Sequence, residues 1–263
     1  MESATCTHNN GHLFYESAGT GEPLVLVHGF TLDHRMWKPQ VAHFAGSRRV
    51  ITYDARGFGA SSLPSTPYSH VEDLVALLDH ANVERAHFAG LSMGGRIAIN
   101  LALSHPDRVQ SLTLIDSALD GYPNEVDWNV FAMRDGLARA KQRWLDHHIF
   151  DAARKHPTVQ KELADIIADY SGWHWLNEDT FAAPSTNARE RLHEIETPTL
   201  VMVGEYDLPY FQNIASTIAH GIPDAQFTII PSAGHMSSME APVFVNSALA
   251  TFLNENRSAS TER

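Results

Sequence analysis

The chain has 263 residues, of which 43% are hydrophobic, and this is enough for one large α/β domain with a substantial buried core. Its 31 acidic residues outnumber its 19 basic residues, so the formal net charge of −12 disfavours binding to nucleic-acid backbones and anionic lipid surfaces. Because Cys6 is the only cysteine, an intrachain disulfide and a thiolate metal cluster are both excluded.

The N-terminal residues 1–8 have neither the basic start nor the apolar run of a secretory signal. No apolar stretch approaches the roughly 20 residues that a membrane-spanning helix needs. We therefore predict a soluble, cytoplasmic protein with no nucleic-acid or membrane partner. The sequence does not fix the oligomeric state, and a homodimer stays open.

Short, largely apolar strands recur along the chain. The turn signal Asn9-Asn10-Gly11 separates residues 5–8 from residues 13–18 and predicts a hairpin. Runs typical of strands covered on both faces follow at 24–27, 50–53, 86–89, 112–115, 200–203 and 227–230. Most intervals between them show helical spacing. This alternation predicts an α/β fold with a doubly wound, mostly parallel sheet.

The alternation stops between residues 119 and 191, where helical spacing continues without a convincing strand. We interpret 119–191 as a helical cap inserted into a single domain, 1–263. The segment holds four of the five tryptophans, Trp128, Trp144, Trp173 and Trp175. Large aromatic side chains usually form a core of their own, but these four are also candidates for the lining of a substrate pocket beneath the cap.

The pentapeptide Gly90-Leu91-Ser92-Met93-Gly94 matches the pattern G-x-S-x-G. By itself the pattern is weak, because it also arises by chance. Its place directly after the strand at 86–89 and before a helical run at 93–104 gives it weight. In so tight a turn the serine takes strained backbone angles, and glycine on both sides leaves room for the chain to pass. We predict that Ser92 is a nucleophile.

A serine hydroxyl needs an adjacent base, and the base needs a carboxylate that orients it. In open parallel sheets the working residues gather at the carboxyl ends of the strands. His235 follows the last predicted strand and is the predicted base. Asp207 follows the strand at 200–203 and is the predicted acid, because a loop residue a little beyond the strand end can reach under the imidazole. Asp116 and Glu205 are rival acids.

Acyl transfer also needs donors aimed at the developing oxyanion. We predict the backbone N–H groups of Phe30 and Met93, whose side chains then remain free to shape the acyl pocket. His28 is interpreted as a structural hydrogen-bonding residue. His147 and His148 beside Asp146 do not predict a metal site, because adjacent helical residues point in different directions. We expect neither a metal nor an organic cofactor.

Four motifs occur in order, namely Leu26-Val27-His28-Gly29-Phe30, the segment from Tyr53 to Ser61, Gly90-Leu91-Ser92-Met93-Gly94-Gly95, and Gly234-His235. With them the chain resembles the α/β-hydrolase superfamily over essentially its whole length, and is similar to bacterial esterases, enol-lactonases of aromatic catabolism and cofactor-free perhydrolases. The resemblance implies an eight-stranded α/β-hydrolase fold with a helical cap, and it implies that Arg56 braces the loop that contains it.

Departures from neighbouring branches narrow the chemistry. Haloalkane dehalogenases and epoxide hydrolases carry aspartate where this chain has Ser92. Carbon–carbon bond hydrolases commonly show a glycine-rich stretch after the first histidine and an asparagine before the nucleophile, whereas this chain has Phe30-Thr31-Leu32 and Leu91. The resemblance implies a hydrolase of carboxylic esters or lactones that acts through an acyl-enzyme. A hydrophobic pocket beneath several tryptophans predicts small to medium, largely apolar substrates. A carbon–carbon bond hydrolase and a ligand-binding receptor on the hydrolase shell remain alternatives.

Overall fold

The structure is a computed structural model that describes residues 1–122, 128–182 and 187–257. Eight strands form one sheet: β1 (Glu2–His8), β2 (Gly11–Ala18), β3 (Pro23–Val27), β4 (Arg49–Tyr53), β5 (Ala86–Leu91), β6 (Val109–Ile115), β7 (Thr199–Gly204) and β8 (Gln226–Ile230). Their order in the sheet is β1-β2-β4-β3-β5-β6-β7-β8. The pairs β1–β2 and β2–β4 are antiparallel and the other pairs are parallel. The predicted α/β class and the mostly parallel eight-stranded sheet are confirmed.

β5 and β8 differ from the sequence prediction, β5 in where it ends and β8 in how much of it is buried. β5 extends through Gly90 and Leu91, which still pair with β6, so the nucleophile follows the strand without any intervening loop. β8 lies at the edge of the sheet, and there Phe227 and Ile229 are 45% and 55% exposed. The prediction that this apolar run is covered on both faces is therefore wrong for the edge strand β8.

Helices connect the strands and pack on the sheet. They are α1 (Lys38–Phe44), α2 (His70–His80), α3 (Met93–Ser104), α4 (Trp128–Asp135), α5 (Leu137–Leu145), α6 (Pro157–Asp169), α7 (Trp173–Leu176), α8 (Ala188–Arg191), α9 (Pro209–Gly221), α10 (Ser237–Glu240) and α11 (Pro242–Glu255). For α2, the Ser69 hydroxyl accepts the amide of Glu72 at the N-cap, and Leu74, Leu77 and Leu78 are buried at helical spacing.

The core sits where α3 packs against β3, β5 and β6 and where α9 packs against β7. Between β6 and β7, the described residues form α4 to α8 and short 3-10 turns but no strand. A single bridge joins Phe181 of this segment to Tyr68. Within the described ranges, none of the helices combines the length and the apolar character that crossing a bilayer would require.

A buried ion pair holds the loop after β4. The Arg56 guanidinium donates to both carboxylate oxygens of Asp73, at 2.8 and 2.5 Å, and to the carbonyl oxygen of His8 at 3.0 Å. Both side chains of the pair are only 2% exposed. The loop-bracing contact implied for Arg56 is thus present, and it connects the loop to α2 and β1.

We expect Arg56→Met to lower the free energy of unfolding by about 3–5 kcal/mol, because it leaves the Asp73 carboxylate buried without its counter-ion. Urea denaturation followed by tryptophan fluorescence measures the change. The control is Lys161→Met, which breaks an ion pair between solvent-exposed side chains with Asp165 and should cause no measurable loss. Equal effects of the two substitutions would contradict the bracing role.

Candidate active site

Ser92 occupies a strained turn between β5 and α3. Its backbone angles are φ 53° and ψ −113°, a region that residues with a side chain rarely adopt. Hydrogen bonds on both sides hold the turn: its amide donates to Ile115 at 3.0 Å, and its carbonyl oxygen accepts the amide of Ala118 at 3.0 Å. The turn therefore presents the hydroxyl at the carboxyl end of the sheet.

Two glycines make this turn sterically feasible. A Cβ atom on Gly90 would lie 2.4 Å from the carbonyl carbon of Gly94, and a Cβ atom on Gly94 would lie 2.0 Å from the carbonyl oxygen of Val27. Both distances are well inside van der Waals contact. The close approach of α3 to β3 and β5, which sets the position of Ser92, thus requires glycine at both places.

His235 and Asp207 form a buried pair. The imidazole Nδ1 lies 2.9 Å from Asp207 Oδ2, and the other carboxylate oxygen accepts the amide of Leu208 at 2.7 Å. When the proton sits on Nδ1, this contact leaves Nε2 as an acceptor. His235 and Ser92 line the same cavity. Among the hydrogen bonds of the described residues, none joins the Ser92 hydroxyl to the imidazole. Such bonds often tighten only when substrate is bound.

The rival acids make other contacts. Asp116 is fully buried, where Oδ1 accepts the amide of Gly204 at 2.7 Å and Oδ2 accepts the hydroxyl of Ser237. Burial, reinforced by the nearby Asp207 charge, raises the pKa of Asp116 well above its usual range. Glu205 is exposed and accepts the amide of Ser232. Of the three carboxylates, Asp207 is the one that the structure places on His235.

Two backbone amides near Ser92 donate no hydrogen bond to any other described residue. Met93 begins α3 directly after Ser92, and Phe30 follows β3 by three residues. No hydrogen bond recorded for the described part of the chain uses either amide as a donor. The Phe30 carbonyl oxygen instead accepts the Thr31 hydroxyl at 2.6 Å, and that hydroxyl accepts from Trp144 Nε1 at 2.8 Å. The loop with Phe30 is therefore tied to α5.

His28 makes the contacts of a structural residue. It is fully buried, with Nδ1 2.8 Å from the carbonyl oxygen of Gly29 and Nε2 accepting the amide of Ala55 at 2.9 Å. Burial lowers its pKa, which keeps the ring neutral. The imidazole thus joins the loop after β3 to the loop after β4 and is not available as a general base.

The cavity at Ser92 has a volume of about 700 Å³. Aromatic side chains make much of its wall: Phe30, Trp144, Phe150, Trp175, Phe181 and Phe211. Of the predicted pocket residues, Phe30, Met93, Trp144 and Trp175 line it. Trp173 is half-buried and does not, because neighbouring residues of the single turn α7 point in different directions and His174 and Trp175 face inward instead. The side chain of Trp128 lies outside the described residues.

Polar lining residues escaped the sequence prediction. They are Arg96, Asn129, His147, Asp179 and Tyr210. Arg96 could have been found from its spacing, since it lies one helical turn beyond Ser92. The others lie on the cap or after β7, where no motif marks them.

One polar chain crosses the cap side of the cavity. Tyr170 Oη lies 3.0 Å from His174 Nδ1, and the Tyr68 hydroxyl donates to Asp179 at 3.0 Å while lying 3.4 Å from His174 Nε2. His174 stacks on Phe58 with ring centroids 4.4 Å apart. Burial lowers the pKa of His174 to about 4, so the ring is uncharged near neutral pH.

One group of described residues is close enough in space to hold a metal ion, Asp33, His34 and Asp54. Its oxygens already have partners: Arg35 donates to both oxygens of Asp33, and Asp54 accepts from His34 and from the amide of Ala60. His147 and His148 do not converge, because His147 stacks on Trp144 at the cavity while the side chain of His148 is exposed. Neither set presents an open coordination site.

Comparison with known proteins places the chain in a family. The model of the alpha/beta hydrolase fold family matches residues 22–242. The 3-oxoadipate enol-lactonase 1 of Acinetobacter baylyi is 32% identical over 83% of this chain and 84% of its own. The 2-hydroxymuconate semialdehyde hydrolase of Pseudomonas sp. strain CF600 is 30% identical over 90% of this chain and 89% of its own.

Solved structures agree with this assignment. A thermophilic esterase from Thermogutta terrifontis, in a structure described as malate bound, superposes with a TM-score of 0.86. It is 28% identical, and the match covers 98% of this chain and 100% of the esterase chain. The chain therefore belongs to the α/β-hydrolase family, an enzyme family in which its relatives include esterases and enol-lactonases.

Proposed function

We propose that the chain hydrolyses carboxylic esters or lactones through a covalent acyl-enzyme on Ser92. The observation that carries the proposal is the buried His235–Asp207 pair, which faces the same cavity as a strained serine at a strand-to-helix turn. The Ser92 hydroxyl thus has His235 as a base in the same cavity, and the Asp207 carboxylate fixes that base in one tautomer.

Acylation would proceed in the following way. The Ser92 oxygen attacks the carbonyl carbon while His235 Nε2 takes its proton. The amides of Phe30 and Met93 donate to the oxyanion, and one such donor is worth about 3 kcal/mol in the transition state. The tetrahedral intermediate then breaks its bond to the alcohol oxygen, which receives the proton from the imidazolium.

Deacylation repeats these steps with water as the nucleophile. The water oxygen attacks the acyl carbon while His235 takes a proton from the water. The Ser92 oxygen then leaves and regains a proton from the imidazolium. The carboxylic acid is released and the enzyme returns to its first state. Apart from the substrate and water, each step uses only side chains and amides of this chain.

The cavity favours substrates of modest size. Its volume of about 700 Å³ lies within the range typical of small-molecule sites, and its aromatic walls suit a largely apolar acyl or alcohol group. The enol-lactonase and esterase relatives support ester and lactone bonds as targets.

A fluorophosphonate probe tests the proposal. Because it forms a covalent adduct only with an activated serine, we expect one adduct per chain, on the peptide that contains Ser92, with loss of p-nitrophenyl acetate hydrolysis in proportion to labelling. Peptide mass spectrometry locates the adduct. Labelling at another serine, or full turnover after complete labelling, would refute the assignment of Ser92.

The 2-hydroxymuconate semialdehyde hydrolase relative favours one second candidate, cleavage of a carbon–carbon bond beside a carbonyl group. Such an enzyme should consume a vinylogous diketone faster than any simple ester. A higher kcat/KM for p-nitrophenyl acetate than for the diketone would reject this candidate. If neither compound is turned over by the protein above the rate of its Ser92→Ala variant, a receptor-like binding role gains support.

A further inference from the structure

Arg96 is a cation in the wall of the cavity that holds Ser92. It lies on α3 one turn beyond Ser92, and its side chain is 33% exposed. The turn at Ser92 fixes its position, since the Arg96 amide donates to the Ser92 carbonyl oxygen at 3.2 Å. The backbone of Arg96 is therefore held one helical turn from the proposed nucleophile, and its side chain reaches the cavity wall.

The guanidinium is poorly satisfied by the protein. Its nearest carboxylate oxygen is Oδ1 of Asp120, 3.8 Å from Nε and beyond hydrogen-bond distance. The other oxygen of Asp120 is occupied by Asn100, which donates to it at 2.7 Å. Arg96 also lies over the ring of Phe181, with Cζ 6.0 Å from the centroid. Among the described residues, no hydrogen bond uses any of its five N–H donors.

Among the described lining residues Asp179 is the one carboxylate, and it forms no ion pair with Arg96. Asp179 lies more than 4 Å from the guanidinium, and its Oδ1 accepts the Tyr68 hydroxyl and the Phe181 amide, each at 3.0 Å. His174 is uncharged near neutral pH because burial lowers its pKa to about 4. The wall around Arg96 is otherwise largely aromatic, so the cavity offers an anion a fork of unused donors in surroundings poorer in water than the surface.

We propose that Arg96 binds a carboxylate group of the substrate, so that the ester or lactone cleaved at Ser92 is an anionic one. The inference rests on the proposed hydrolase function and adds its substrate class. The net charge of −12 repels anions at long range, so the attraction for the carboxylate has to come from this donor fork inside the cavity.

Two matched pairs of esters test the inference and locate the carboxylate. In the acyl pair, p-nitrophenyl hemisuccinate is compared with p-nitrophenyl methyl succinate. In the leaving-group pair, 4-acetoxybenzoate is compared with 4-acetoxybenzamide. Rates are corrected for spontaneous hydrolysis. We expect Arg96→Met to lower the ratio of kcat/KM for the anionic ester to that for the neutral ester by about tenfold or more in at least one pair.

Two further variants serve as controls. Arg96→Lys keeps the charge but loses the fork and should retain part of the ratio. Arg257→Met removes one positive charge just beyond α11, where Asn256 contacts Gln110 near the start of β6 at the opposite end of the sheet, and should leave both ratios at the wild-type value. Unchanged ratios in Arg96→Met, with turnover of the neutral esters retained, would overturn the inference while leaving the proposed hydrolase function intact.

A binding measurement separates the inference from turnover. Calorimetry compares 4-hydroxybenzoate with 4-hydroxybenzamide, and succinate with its monomethyl ester. We expect the more anionic member of at least one pair to bind the wild-type protein about tenfold more tightly, with the difference lost in Arg96→Met. Equal affinities in both pairs would overturn the carboxylate site even if esters are hydrolysed. Failure to hydrolyse any ester, with the affinity difference present, would overturn the proposed hydrolase function alone.

Discussion

Replacement of Ser92 by alanine is expected to reduce kcat for p-nitrophenyl acetate by a factor of roughly 10⁴ to 10⁶, because no covalent acyl-enzyme can then form. The amides of Phe30 and Met93 remain, so a small residual rate above the uncatalysed reaction should persist. The fold should be unchanged, since among the described residues the Ser92 hydroxyl makes no hydrogen bond and the turn is held by backbone contacts that alanine keeps. Steady-state kinetics at saturating ester measure the loss.

A matched control is Ser216→Ala on α9. That hydroxyl lies 3.4 Å from His220 on the surface of the helix and outside the cavity, so wild-type kinetics are expected. If Ser92→Ala keeps more than about a tenth of the wild-type kcat while its unfolding midpoint matches the wild type, the acyl-enzyme route is wrong and the cavity must activate water directly.

Replacement of Asp207 by asparagine is expected to lower kcat by about 10⁴-fold. The carboxylate accepts the proton of His235 Nδ1, whereas the amide of asparagine can present an N–H group there and favour the tautomer with its proton on Nε2. That tautomer cannot take a proton from Ser92. Because side-chain size is almost unchanged, the pair should stay packed, and the effect should appear in kcat more than in the unfolding midpoint.

Asp116→Asn is the informative comparison, because Asp116 is the buried one of the two rival acids. Asparagine there can still accept the Gly204 amide through its oxygen, and its N–H group can donate to the Ser237 hydroxyl once that hydroxyl rotates. We expect a loss in kcat of less than about tenfold, far below the loss at Asp207. If Asp116→Asn lowers kcat more than Asp207→Asn does, Asp116 and not Asp207 is the residue that orients His235.

The nucleophile turn was the part of the site most accessible from sequence, since Gly90, Ser92 and Gly94 are neighbours in the chain. Their spacing indicates a tight turn with no room for side chains at both glycines. The backbone angles of Ser92 and the lack of space for a Cβ atom on Gly90 or Gly94 confirm it. His28 was also interpretable locally, because a histidine directly after an apolar strand has few partners other than the adjoining loops, and its two ring nitrogens indeed meet Gly29 and Ala55.

The sequence predicted that aromatic residues of the cap line the cavity, but it did not predict which of them point into it. Aromatic residues do line the cavity, but within α7 the side chains of His174 and Trp175 face inward and Trp173 does not. Composition shows only that the segment is rich in tryptophan. Which side chains of α7 point into the cavity depends on how His174 packs on Phe58 and how Trp175 packs on Tyr170. The contact between Phe58 and His174 joins residues more than a hundred positions apart in the chain.

The sequence by itself determined the fold family and the strained turn at Ser92, because these depend on local sterics and on the alternation of apolar strands with helices. Only the tertiary structure decided that Asp207 and not Asp116 contacts His235, and that Arg96 faces the cavity without a hydrogen-bonding partner among the described residues. Both carboxylates follow strands that end at the same sheet edge, so their spacing favoured Asp207 but left Asp116 as an alternative. Their distances to one imidazole depend on how β6, β7 and the loop after β8 meet in space.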